Sequence, residues 1–181
     1  MNHMKNRETM NKKWQAFAVI GTFMFFAIAS IDEDVSAPAS GDRIPLNTAG
    51  SAGGVEVKIS KVKTRQSVGD PNFLGVTASE GGTYVVIHYS VKNVSKKPLG
   101  MFSQPSVELV SNDNVVYEAD LDASSSYASS SNFDEKVVSD LNPGITVDGA
   151  EVFEVSKELF DVATWSARVV TDDGNLWFNL R

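Results

Sequence analysis

Beyond residue 29 the chain carries a single histidine, His88, and this limits the chemistry it can do. A serine nucleophile needs a base placed to take its proton. Serines are abundant, yet His88 lies inside the strand-like run TYVVIHYSVKNV, residues 83 to 94, and no nucleophile-elbow pattern surrounds any serine. His88 therefore reads as an ordinary strand residue, and no catalytic residue is assigned. Transition metals usually take two or more His or Cys ligands. There is no cysteine, and Met101 is the one methionine after the apolar N-terminal stretch. Disulfides, thiolate sites and His/Met copper sites are excluded. Calcium wants about six to eight oxygens. Asp120, Asp122, Asp134, Asp172 and Asp173 read as loop carboxylates, but the helix-loop-helix calcium pattern with its closing Glu is absent. They read as solvated acids, with calcium-dependent binding kept as an alternative. Paired carboxylates could serve a glycosidase, but a small domain with short loops offers little cleft. Gly81-Gly82 precedes a strand rather than a helix, so it does not cradle phosphate. No cofactor and no metal is expected.

What remains is surface. Tyr127, Phe133 and Trp177 are the candidate interaction residues, with Phe102 and Trp165 considered beside them. Trp165 reads as core. Trp177 opposes Leu176 and Phe178 in strand parity, which favours exposure. Tyr127 sits in DASSSYASSSN, residues 122 to 132, a serine-rich stretch that reads as a contact loop.

The elements that position these residues are short strands. Val55, Val57 and Ile59 alternate with Glu56, Lys58 and Ser60, and Val62 breaks the parity, as at a bulge or a strand end. Residues 66 to 82 read as a long loop. In the run from 83 to 94, Val85, Ile87, Tyr89 and Val91 share a core face, and the opposite face is only partly polar, which marks a central strand. Ser111-Asn112-Asp113-Asn114 is a hairpin turn between Val107–Leu109 and Val115–Tyr117. Pro143-Gly144 is a turn, and Asp148-Gly149 reads as a second one before the strand of Val152, Phe153 and Val155. Trp165, Ala167 and Val169 alternate, Asp172 to Asn175 turns the chain, and Leu176, Phe178 and Leu180 close it. The whole reads as an all-β protein, an immunoglobulin-like β-sandwich of seven or eight strands preceded by an N-terminal hydrophobic helix.

That helix is the export signal. Residues 16 to 31, AFAVIGTFMFFAIASI, hold no charge, follow Lys12 and Lys13, and precede Asp32, Glu33 and Asp34. Ala27-Ile28-Ala29 fits signal cleavage before Ser30. An uncleaved run would be a single membrane anchor through residues 16–31. Met10 offers a second start. The expected organisation is a signal over 1–29, a flexible linker over 30–54 rich in Ala, Ser, Gly and Pro, and a β domain over 55–181. Lys5, Arg7, Lys12 and Lys13 against Glu8 give the first 29 residues +3, so of the net charge of −7 the rest holds −10. An acidic body repels phosphate backbones, and no nucleic-acid partner is expected.

The runs YVVIHYSVKNVSKKPL, SVELVSNDNVVYEAD and LNPGITVDGAEVFEV resemble a family of small exported bacterial domains of unknown function. That family is similar to a mycobacterial secreted immunoprotective antigen with an immunoglobulin-like sandwich. Its marks are a valine-rich strand ending in asparagine (Tyr84 to Asn93), a hairpin ending in tyrosine (Val107 to Tyr117), and a Leu-x-Pro-Gly turn before a Val-Phe-x-Val strand (Leu141 to Val155). The resemblance covers about residues 54 to 181. Many such domains are lipoproteins, and the lack of cysteine departs from that pattern. The resemblance carries no catalytic residues. It implies a non-enzymatic, exported domain, periplasmic or extracellular or tethered to the inner membrane, that binds a protein or an envelope component. A small periplasmic hydrolase is the alternative.

Overall fold

The computed structural model describes residues 30–31, 35–72, 75–100, 103–131, 133 and 140–181. Two sheets face each other across one core. The first holds β2 (Ala49–Ala52), β3 (Val55–Arg65), β6 (Gly82–Asn93) and β9 (Thr146–Ser156), in that order and antiparallel throughout. The second is five-stranded, in the order β1-β8-β7-β10-β11. Its strands are β1 (Ser30–Ile31), β7 (Ser106–Val110), β8 (Val115–Tyr117), β10 (Ser166–Thr171) and β11 (Gly174–Asn179). A small hairpin of β4 (Ser67–Val68) and β5 (Val76–Thr77) interrupts the expected long loop.

The core follows the alternation. Val57, Ile59, Val85, Ile87 and Phe153 from the four-stranded sheet meet Leu109, Ala167, Val169 and Phe178 from the other. Trp165 is core as expected, stacked on Tyr117 and edge-on to Phe160. β6 is central, between β3 and β9, and its second face is apolar in part because it too is covered. The cover is α1 (Leu121–Ser130), in the stretch where the serines predict a loop. Serine is a modest helix former, but the context outweighs propensity. Asp120 caps the helix, its Oδ1 accepting from Ala123 N at 2.9 Å. Ala123 and Tyr127, four residues apart, bury one stripe against Val86, Ala150 and Val152. Asp120 N donates to Val152 O at 2.8 Å, and Val152 N donates to Ser124 Oγ at 3.0 Å. The start of α1 thus covers the open edge of β9.

Two other expectations change, and the expected bulge is located. Asp148-Gly149 does not turn: β9 runs straight through it in unbroken register with β6. The glycine is there for space. It lies opposite Tyr89, and a Cβ would stand 2.6 Å from Tyr89 Cζ. The parity break lies in β3, where the register shifts between Ile59 and Lys61. Residues 35 to 54 are packed rather than a free linker. Val35 is buried against Val110 and Val116, and Ile44 bridges β11 at Phe178. β2 then pairs with β3, so this stretch crosses from one sheet to the other. The apolar run over 16–29, with the hydrophobic helix expected there, lies outside the described residues; Ser30 and Ile31 pair with Val116 and Val115.

Two of the sequence marks form one joint. The turn Asn142–Ile145 closes through Ile145 N to Asn142 O at 3.1 Å, with Gly144 at φ 79°. Pro143 presets its first corner, and glycine accepts the positive φ of a type II turn. Gly144 N donates to Asn93 O at 2.8 Å. The fully buried Asn93 side chain donates to both Lys97 O and Leu141 O at 2.7 Å and accepts from Ser95 N at 2.9 Å. The asparagine that ends β6 and the Leu-x-Pro-Gly turn are therefore two halves of one buried hydrogen-bonded contact.

Candidate functional site

The outer face of the four-stranded sheet is covered on its β9 side by α1, and Val68, Val76 and Ala78 of the β4–β5 hairpin region join that cover beside Tyr84 and Val86, while β3 itself stays accessible. β3 supplies a row of cations there. Lys58, Lys61, Lys63 and Arg65 stand opposite Ser90, His88, Val86 and Tyr84 of β6, one cation at every second position of the partner. Strict alternation would send Lys61, Lys63 and Arg65 into the core after Lys58. The extra residue of the bulge, Ser60, restores them to the outer face, and its Oγ donates to His88 O at 3.3 Å. The four cations make no ion pair among the described residues. β2 flanks only the Val55–Lys58 part of β3 and carries no charge. The nearest acids by register are Glu56, opposite Lys92, Asp148, opposite Ser90, and Glu154, opposite Tyr84.

At the seam between the row and α1 sits His88. Its Nε2 pairs with Tyr127 Oη at 2.9 Å, and its ring meets Tyr127 and Phe133 edge-on at 5.6 and 5.1 Å. Burial lowers the His88 pKa below 6.5, with Lys63 and Lys61 adding to the effect. The shift favours the neutral imidazole, which sits half-buried beside the two aromatic rings.

Tyr127 and Phe133 are therefore brought together, but as the wall of the His88 seam rather than as exposed anchors. Tyr127 is buried and Phe133 is half-buried. Trp177 is not with them. It lies on the outer face of the five-stranded sheet, half-buried against Val35, Val110 and Val116. The Arg168 guanidinium stands 5.8 Å from its ring centroid and is itself bound to Glu108. Phe102 and Asp134 lie outside the described residues. The loop acids do not converge. Asp120 is engaged as a helix cap, Asp122 opens α1, and Asp172 and Asp173 sit in the turn between β10 and β11. No group of three or more metal-ligating side chains occurs among the described residues, and no helix there is long and apolar enough to cross a membrane.

A second polar cluster faces the core. Tyr89 Oη donates to Glu151 Oε1 at 3.2 Å, and Ser124 also bonds this carboxyl. Burial raises the pKa of both Tyr89 and Glu151. The cation row was legible in the sequence as KISKVKTR, but only the bulge shows that its charges share one face.

Solved structures share this architecture. A conserved hypothetical protein from Bacillus anthracis superposes with a TM-score of 0.62 at 24% identity, over 74% of this chain and 94% of that one. An uncharacterized β-sandwich protein from Clostridium difficile gives 0.53 at 14% identity, over 77% and 95%. Both likenesses establish the sandwich and nothing finer. An uncharacterized protein of Bacillus subtilis, YxkC, is 46% identical over 118 residues, 65% of this chain and 65% of its own length. The chain thus spans a little under two thirds of that relative. Residues 44–161 match the family model DUF4352, so the chain belongs to that family of β-sandwich domains of unknown function.

Proposed function

We propose that this chain is an exported, non-catalytic binding module that works through the open half of its four-stranded sheet. The observation that carries this reading is the uneven cover of that face. α1 seals the β9 side, while the β3 side presents four cations without counter-ions among the described residues. The interior polar groups support the same reading, because they are engaged with one another. His88 is held by Tyr127, and Glu151 by Tyr89 and Ser124. A serine hydrolase would draw on His88 as its base, and that ring is held between Tyr127 and Phe133. The charge layout of residues 1 to 34 supports export, with a basic flank, an apolar run and an acidic continuation. The resemblance to the secreted immunoprotective antigen supports an immunoglobulin-like kinship and an envelope or protein partner.

The test is fractionation of cells expressing a tagged chain, read with the intact mass of the product. A mass beginning at Ser30 in the exported fraction is expected for a cleaved signal. A full-length mass in the membrane fraction would mean an anchor with the domain outside. A cytoplasmic full-length product would overturn the export reading.

A further inference from the structure

We infer that the cation row on β3 is a binding site for a linear phosphodiester polymer with a small polyol repeat. This rests on the binding-module reading above and names its partner. Residues 30 to 181 hold 12 of the 16 basic residues against 22 acids, so most of this surface repels anions. Yet Lys58, Lys61, Lys63 and Arg65 follow one another along one strand face with no acid paired to them among the described residues. Alternate residues of a strand stand about 7 Å apart. Those two residues comprise about six backbone bonds, the same number as one three-carbon polyol phosphodiester repeat, so charge can meet charge step by step. The bulge at Ser60 is what keeps the row in phase.

The shape selects against other anions. The uncharged residues of β2 flank the row only at Lys58, and the His88–Tyr127–Phe133 seam lies on its other side. Tyr127 is buried and Phe133 is half-buried edge-on to His88, so the seam offers little ring surface on which a base could stack. A thin polymer without bases fits this strip, and the long-range repulsion of the acidic body works against a nucleic acid.

The experiment titrates the full chain with a synthetic poly(glycerol phosphate) of about a dozen repeats, so that several contacts can form at once. Inorganic phosphate, a single-stranded DNA of equal charge and phosphatidylglycerol vesicles serve as comparisons. The polymer is expected to bind with an affinity that falls with salt at a log-log slope of about −3, the value for four neutralised phosphates on a flexible strand. Lys61→Gln with Lys63→Gln should halve that slope to roughly −1.4 and weaken binding at least about tenfold. Lys96→Gln with Lys97→Gln, in the turn after β6, should leave it unchanged. These are exposed or half-exposed side chains, and matched melting midpoints would show that the variants are folded. Equal loss in both variants, no polymer binding, equal binding of the DNA, or preference for vesicles would each overturn the inference. Isolated cell-envelope material is the separating arm. Binding to it without binding to the polymer removes the polymer and keeps the binding module. Binding to neither removes both.

Discussion

Two half-buried titratable groups pull the stability of this domain in opposite directions as pH changes. Burial raises the Glu151 carboxyl pKa above 4.5, with hydrogen bonds from Ser124 and Tyr89 offsetting part of the shift. The folded chain then holds that proton more tightly than the unfolded chain. Its contribution is full below pH 4.5 and is lost as pH rises through the folded-state value. His88 is the reverse. Its folded pKa lies below 6.5, so its contribution is full above pH 6.5 and is lost as pH falls through the folded-state value. Glu151→Gln keeps an acceptor for Tyr89 Oη and removes the buried charge. It should raise stability at pH 7 and flatten the decline above pH 4.5, while leaving the His88 limb in place. Urea midpoints from pH 4 to 8 test this. A variant curve parallel to the wild type would show that the carboxylate is not the cause. Neither group was legible as special in the sequence. Residue type puts Glu151 on the wetter face with Glu154 although it shares parity with the inward Phe153; a bulge near Val152 would reconcile the two, but β9 has none and Glu151 follows Phe153. Gly149 and Tyr89 are partners across two strands, and no local reading joins residues so far apart.

At the scale of elements, alternation placed the strands well. Val85, Ile87, Tyr89 and Val91 all face the core, the Ser111–Asn114 turn joins β7 to β8, and Asp172-Asp173, the first half of the expected turn, joins β10 to β11. The failures have one physical cause: tertiary contacts that outweigh local preference. In α1 the serine content points to a loop, while Ala123 and Tyr127 are a faint amphipathic signal that pays only once β9 offers its edge and outer face. Asp120-x-x-Ala123 was the readable sign of a helix start. The helix is short and depends on that cap. Asp120→Ala should cost about 1 kcal/mol, the usual loss of an N-cap side chain. It should also shift the His88 pKa back toward 6.5, since a fraying α1 loosens the cover of Tyr127 over the imidazole. Denaturant unfolding reads the first effect and proton NMR titration of His88 the second. A full loss of stability with an unmoved His88 pKa would mean that the cap acts on β9 rather than through α1.

For the whole molecule, the segment before Val55 decides how the sandwich is closed. Ala, Ser, Gly and Pro made it read as a tether, because composition reports flexibility of a free chain and not what a neighbouring edge can hold. Small residues suit the place they occupy. Ala49, Gly50, Ser51 and Ala52 lie flat along β3, and Ile44 N donates to Trp177 O while Asn179 N donates to Ile44 O, at 2.8 and 2.9 Å. The segment thus bonds to β11 and then to β3, closing the side on which both sheets would otherwise present open edges. Farther back, Val35 covers Val110 and Val116 on the outside of the five-stranded sheet. Arg43 adds polar ties, its Nε donating to Pro38 O at 2.9 Å and its Nη1 to Thr164 O at 3.2 Å. A chain beginning at Val55 should therefore be less stable than one beginning at Val35 by at least about 2 kcal/mol, the worth of one fully buried aliphatic side chain. It should also self-associate through the bared edges of β3 and β11. Urea unfolding and sedimentation velocity on the two chains decide the matter. Equal midpoints and two monomers would return residues 35 to 54 to the role of a linker.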